Sequence, residues 1–91
     1  MYLFSFNEQI IFYEIKSYNN IKSCIRDGIG QLMEYTYWPN QNNADKLIVV
    51  SQKLNGIEDA KTYMENVRFI TNLPIYYQYF DLESNTLSEE Y

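Results

Sequence analysis

The sequence predicts an α/β domain: a mixed β-sheet of about four strands, in the order β-β-α-β-α-β, flanked by two helices. Three observations carry this expectation. Two aromatic and β-branched runs near the start are separated by the polar pair Asn7-Glu8. Apolar residues recur at helical spacing over 20–38 and over 57–71. Compact strand-like runs, KLIVVS and IYYQY, follow each of those segments. Strand–helix–strand succession implies parallel pairing with right-handed crossovers.

Tyr2 to Phe6 and Gln9 to Ser17 read as strands because they are rich in Ile, Phe and Tyr, and Asn7-Glu8 suits a two-residue hairpin turn. In the second strand Phe12, Glu14 and Lys16 share one face, and Ile11, Tyr13 and Ile15 the other. The polar stretch Ser17–Asn20 breaks the pattern and offers a helix N-cap. Ile21, Cys24, Ile25, Ile29, Leu32 and Met33 then recur at helical spacing. Gly28 and Gly30 inside that helix each cost about 1 kcal/mol relative to Ala, a cost better tolerated where a helix lies close to a sheet. Pro39 and the Asn/Gln run at 40–43 stop the helix. Lys46 to Ser51 is apolar enough for a strand buried on both faces. Asn55-Gly56 is a turn. Ile57 to Thr71 forms the second helix on Ile57, Ala60, Met64, Val67 and Ile70, and Pro74 precedes the last strand, Ile75 to Tyr79. The domain is expected over 1–80. Residues 81–91 read as an acidic, disordered tail with Leu82, Leu87 and Tyr91 as weak anchors.

The chain has 91 residues and a formal net charge of −5. Four of the acids lie in 81–91, so 1–80 is close to neutral, with seven basic and eight acidic residues. An acidic tail argues only weakly against a nucleic-acid partner. No His is present, which excludes His-based triads, His general bases and His-ligated zinc. The single Cys24 excludes an intrachain disulfide and a Cys-based metal cluster. No apolar run approaches membrane-span length, and no basic segment precedes an apolar stretch as in a signal peptide. Cytoplasmic localisation is therefore the expectation.

Two pairs of residues suggest chemistry. Glu14 and Lys16 lie two apart on a strand and project side by side. A carboxylate there, with the Ile15 backbone carbonyl, can ligate Mg²⁺, and the neighbouring ammonium can orient a water or stabilise charge on a phosphate. Gln31 and Tyr35 lie four apart on the first helix and share a face with Cys24 and Gly28. The plain readings are an ordinary surface ion pair on an edge strand and a polar fringe of the helix–sheet interface. Lys22 and Arg26 can track a phosphate backbone or form a solvated stripe, with Arg26 paired to Asp27 or Glu34. Cys24 reads as a small buried residue without an activating partner. Gly28-Ile29-Gly30 is not a phosphate loop, since it lacks a third glycine and lies within a helix. Tyr37, Trp38 and Tyr76–Tyr79 read as strand packing, or as surfaces for base stacking or an interface.

Together these residues resemble the PD-(D/E)XK nuclease superfamily, with its restriction-endonuclease-like fold, and more closely its RecB-like branch. Glu14-Ile15-Lys16 ends a strand as the family's (D/E)-x-K does, and Gln31-Leu32-Met33-Glu34-Tyr35 matches its Q-x-x-x-Y helix motif. The stretch from Ile21 to Gln52, with the following helix and LPIYYQ, also resembles small uncharacterised bacterial proteins of this fold. The resemblance covers roughly residues 2–80. It implies a mixed sheet flanked by helices and Mg²⁺-dependent hydrolysis of phosphodiesters in nucleic acid. Glu14 would ligate the metal, Lys16 would be the catalytic lysine, and Gln31 and Tyr35 would support the site or contact nucleic acid. The family's first acid, an Asp on the preceding strand, has no counterpart, because residues 1–7 contain no acid and Glu8 falls in the turn. The family's helix before the hairpin is missing too. The resemblance thus implies a nuclease truncated at its N-terminus or degenerate, weakly active or inactive. The alternative expectation is a non-catalytic interaction module forming a homodimer through an exposed aromatic sheet edge.

Overall fold

The computed structural model describes residues 1–91 except the side chain of Phe6. The elements run β1 (Tyr2–Phe6), β2 (Gln9–Ile15), α1 (Ile21–Tyr37), β3 (Lys46–Gln52), α2 (Ile57–Thr71), β4 (Ile75–Asp81) and β5 (Thr86–Leu87). They form one mixed sheet in the spatial order β1-β2-β3-β4-β5. The three inner strands are parallel, and each edge strand is antiparallel to its neighbour. This is the α/β fold class expected, with a fifth, two-residue strand added.

Local chemistry explains most boundaries. The β1–β2 hairpin pairs Phe6 with Gln9, so Asn7 and Glu8 form a two-residue loop, with φ of 50° and 66°. Positive φ at both central residues is what the right-handed twist of the flanking strands requires. The Asn20 side chain accepts the Ser23 N–H and caps α1. Helix α2 starts after Gly56 with Glu58 and Asp59 in its first turn, carries Arg68 in its last, and ends on left-handed Asn72.

Both helices lie on one face of the sheet. The spatial order β2-β3-β4 with two right-handed crossovers requires this. The core confirms it: Phe12, Leu47, Val49, Ile75 and Tyr77 pack with Ile25, Leu32, Ala60 and Met64. These strand residues share one face by register, Phe12 beside Leu47 and Ile75, Glu14 beside Val49 and Tyr77. The opposite face carries Ile11, Tyr13, Ile15, Ile48, Val50, Tyr76, Gln78 and Phe80 with no helix over it. Ile48 is nonetheless fully buried, because Tyr13 and Tyr76 flank it on the adjacent strands.

Gly28 sets the distance between α1 and the sheet. A Cβ at this position would stand 2.6 Å from Val49 Cγ1. A Cβ at Gly30 would meet nothing within 4 Å, so the close-packing rationale holds for one glycine and not the other.

The disordered tail expected over 81–91 is corrected. After β5 the chain continues along β4, where the Ser88 N–H donates to the Tyr79 carbonyl. Tyr91 and Tyr77 exchange two backbone hydrogen bonds of 2.9 Å. The Tyr91 ring stacks on Tyr79 at 6.2 Å, and the Lys61 ammonium lies over it, 4.3 Å from the centroid. Lys46 and Glu90 pair at 2.7 Å, and Glu90 holds the Lys46 ammonium above its usual range. The outer edge of β4 leaves backbone groups that need partners, and this segment supplies them.

Candidate acid–lysine site

Strand β2 ends with Glu14 turned toward the helix side and Ile15 toward the helix-free side. Glu14 is not a surface residue: it is 7% exposed, beside Val49 on β3 and beneath α1. Lys16 Nζ lies 3.8 Å from Glu14 Oε1, and the Met1 amino group 3.7 Å from Glu14 Oε2. Both separations exceed hydrogen-bond length, so the attraction is ionic rather than a directed bond. The expected edge-strand surface pair is thus a largely buried ion pair on a strand covered on both sides by β1 and β3.

Tyr35 meets the same sheet face two residues away. Its ring stands edge-on to Phe12, with centroids 5.2 Å apart at 87°. Helix α1 runs antiparallel to β2, because it connects two parallel strands. Gln31 therefore lies about 6 Å from Tyr35 toward the carboxyl end of β2. Glu14 lies about 6.6 Å from Phe12 in the same direction. The two motifs run side by side, but Gln31 and Tyr35 are exposed at the rim of α1, whereas Cys24 and Gly28 on the expected shared face are buried. No hydrogen bond among the described residues joins Gln31 or Tyr35 to Glu14 or Lys16.

The donor set does not suit a divalent cation. Mg²⁺ prefers octahedral oxygen coordination and is usually anchored by carboxylates. Among the described residues Glu14 is the one carboxylate here, and two ammonium groups already flank it. Ile15 contributes only a backbone carbonyl, since its side chain is 55% exposed on the other face. Among the described residues no group of three or more Asp, Glu, Cys or His could hold a metal. Glu8 sits at the opposite end of β2, six residues or about 20 Å away.

The remaining candidates resolve as follows. Arg26 pairs with Asp27 at 3.6 Å and is exposed, so it belongs to a solvated stripe. With Lys22 it rims an apolar groove of about 350 Å³, floored by Ile21, Ile25 and Ala60 between the helices. Sequence periodicity gave no signal for this groove, which needs two helices in register. Cys24 is fully buried with its Sγ 3.4 Å from the Tyr18 carbonyl oxygen, and burial pushes its thiol above the usual range. Tyr77 is buried and shares a 2.6 Å hydrogen bond with Ser51, while Trp38 is 70% exposed beside a cis peptide to Pro39. Among the described residues no helix is long and apolar enough to cross a membrane. The sequence matches no family model, and neither the curated proteins nor the solved structures offer a match.

Proposed function

We propose that this chain is a nuclease-like domain that keeps the acid–lysine pair of a metal-dependent phosphodiesterase while hydrolysing nucleic acid weakly or not at all. The observation that carries this reading is the surroundings of Glu14: its carboxylate is largely buried with the Lys16 ammonium 3.8 Å away, and among the described residues no second acid lies beside it. A metal ion would supply the charge neutralisation and activated water on which such hydrolysis relies. With one carboxylate the ion would bind poorly. Glu14 and Lys16 then serve to neutralise each other beneath α1, and Tyr35 to cover Phe12.

Calorimetry with Mg²⁺ and Mn²⁺, beside a plasmid-nicking assay, tests this on the chain and on Glu14→Ala. Neither metal binding nor nicking is expected for either protein. Metal-dependent nicking that is complete at catalytic amounts of protein and disappears in Glu14→Ala would overturn the reading and establish a working nuclease centre.

A further inference from the structure

We infer that the groove between α1 and α2 is a binding site for a small apolar molecule carrying one carboxylate. The groove encloses about 350 Å³, near the lower end of the range for small-molecule sites. Its floor is apolar, made by Ile21 and Ile25 of α1 and Ala60 of α2. Ile25 and Ala60 are buried members of the core, so packing beneath the groove holds that floor in place. Gly56, just before α2, closes one end of the groove against Ile21. A Cβ at Gly56 would stand 3.0 Å from Ile21 Cγ2. A groove stopped at one end suits a compact molecule better than a long segment running through it.

The rim selects the charge of the occupant. Lys22 and Arg26 stand four residues apart on α1, on one wall of the groove. Among the described residues no hydrogen bond uses either cation, and Lys22 pairs with no acid. Arg26 meets Asp27 through Nε at 3.6 Å, beyond hydrogen-bond length. Its guanidinium fork is therefore free to take both oxygens of a carboxylate, the strongest use of its geometry. The α2 wall carries Asp59 and Tyr63. Asp59 repels an anion, and it opposes a doubly charged phosphate more than a carboxylate. The rim thus favours a single negative charge held against α1. The Tyr63 ring, 50% exposed, offers a face to the apolar body of the same molecule.

The groove shares no residue with the Glu14–Lys16 pair, so this inference stands apart from the nuclease reading. Phenylbutyrate is the probe, with phenylbutyramide and phenylbutylamine as its neutral and cationic counterparts. Titration of the chain followed by two-dimensional amide NMR reads both the place of binding and the Kd. The acid is expected to bind weakly, with shifts centred on Lys22, Ile25, Ala60 and Tyr63, and about threefold or more tighter than the amide. Lys22→Ala and Arg26→Ala should each weaken the acid about threefold and change the amide little, whereas Asp59→Asn should tighten the acid about twofold. All three positions are exposed, and circular dichroism would check that each variant folds. An acid that causes no shifts at millimolar concentration, or shifts only outside the groove, overturns the inference. So does an acid that binds no better than the amide. An amine that binds best, and is weakened by Asp59→Asn, makes Asp59 the selecting charge and overturns it as well.

Discussion

Replacing each of the two glycines of α1 by alanine should shift stability in opposite directions. In a helix interior Ala is favoured over Gly by about 1 kcal/mol. At Gly30 the new methyl meets nothing within 4 Å, so Gly30→Ala should stabilise by about that amount. At Gly28 the methyl would stand 2.6 Å from Val49 Cγ1 and 2.8 Å from Cγ2. Ordinary contact begins near 3.4 Å, so something must move by about 0.8 Å. Val49 cannot yield easily: it is fully buried, and its branched side chain has few rotamers open to it. Helix α1 must lift instead, and overpacking of this kind costs about 1–3 kcal/mol. Set against the helix gain, Gly28→Ala should destabilise by about 1 kcal/mol, and a difference of about 2 kcal/mol should separate the two variants. Urea unfolding with a common slope would measure it, and a domain of this size should show about 4–8 °C in Tm per kcal/mol. Val49→Ala should cost less in the Gly28→Ala background than in the parent chain, because it removes the clash. Equal stabilisation by both substitutions would refute the close approach of α1 to Val49, and with it the position of Gln31 and Tyr35 relative to Glu14.

Other expectations follow from single observations. Glu8 has a φ of 66° in the hairpin turn, so Glu8→Gly should stabilise by about 0.5–1 kcal/mol in urea unfolding, whereas Glu8→Val should destabilise. Lys16→Ala should cost about 1 kcal/mol in urea unfolding, because it removes one of the two ammonium groups that flank a largely buried carboxylate and leaves the other in place; no measurable loss would mean the pair is solvated. Burial raises the Cys24 thiol above 9.0 and the Tyr77 phenol above 10.0. For each group the stabilisation is fully present below its unfolded value and is lost as pH rises through the folded one. Thermal stability should therefore be flat with respect to these two groups up to about pH 8 and decline from about pH 9 upward. Cys24→Ala should flatten the earlier part of that decline, and Tyr77→Phe the later part.

The acid–lysine pair was legible because a period of two puts Glu14 and Lys16 on one side of β2 whatever surrounds the strand. Its environment was not legible. That β2 is interior, that Val49 lies beside Glu14, and that the Met1 amino group reaches the carboxylate all depend on pairings between distant segments. The same holds for Gln31 and Tyr35. Their shared helix face follows from spacing, but their exposure follows from α1 resting on Gly28 and Leu32 over β3, which tilts the next stripe to the rim.

The elements themselves were fixed by short-range chemistry. The hairpin turn, the Asn20 cap, the Pro39 stop and the continuous apolar run of KLIVVS need only neighbours a few residues away, because backbone hydrogen bonding and side-chain pattern act over that range. The tertiary structure alone decided which side of the sheet each helix covers and how its edges are closed. Residues 81–91 show why. Their composition is that of a solvated tail, yet β4 presents an open edge of backbone donors and acceptors, and satisfying those groups orders the segment from Thr86 to Tyr91. A strand edge exists only once the sheet does, so nothing in the local sequence of the tail could announce it.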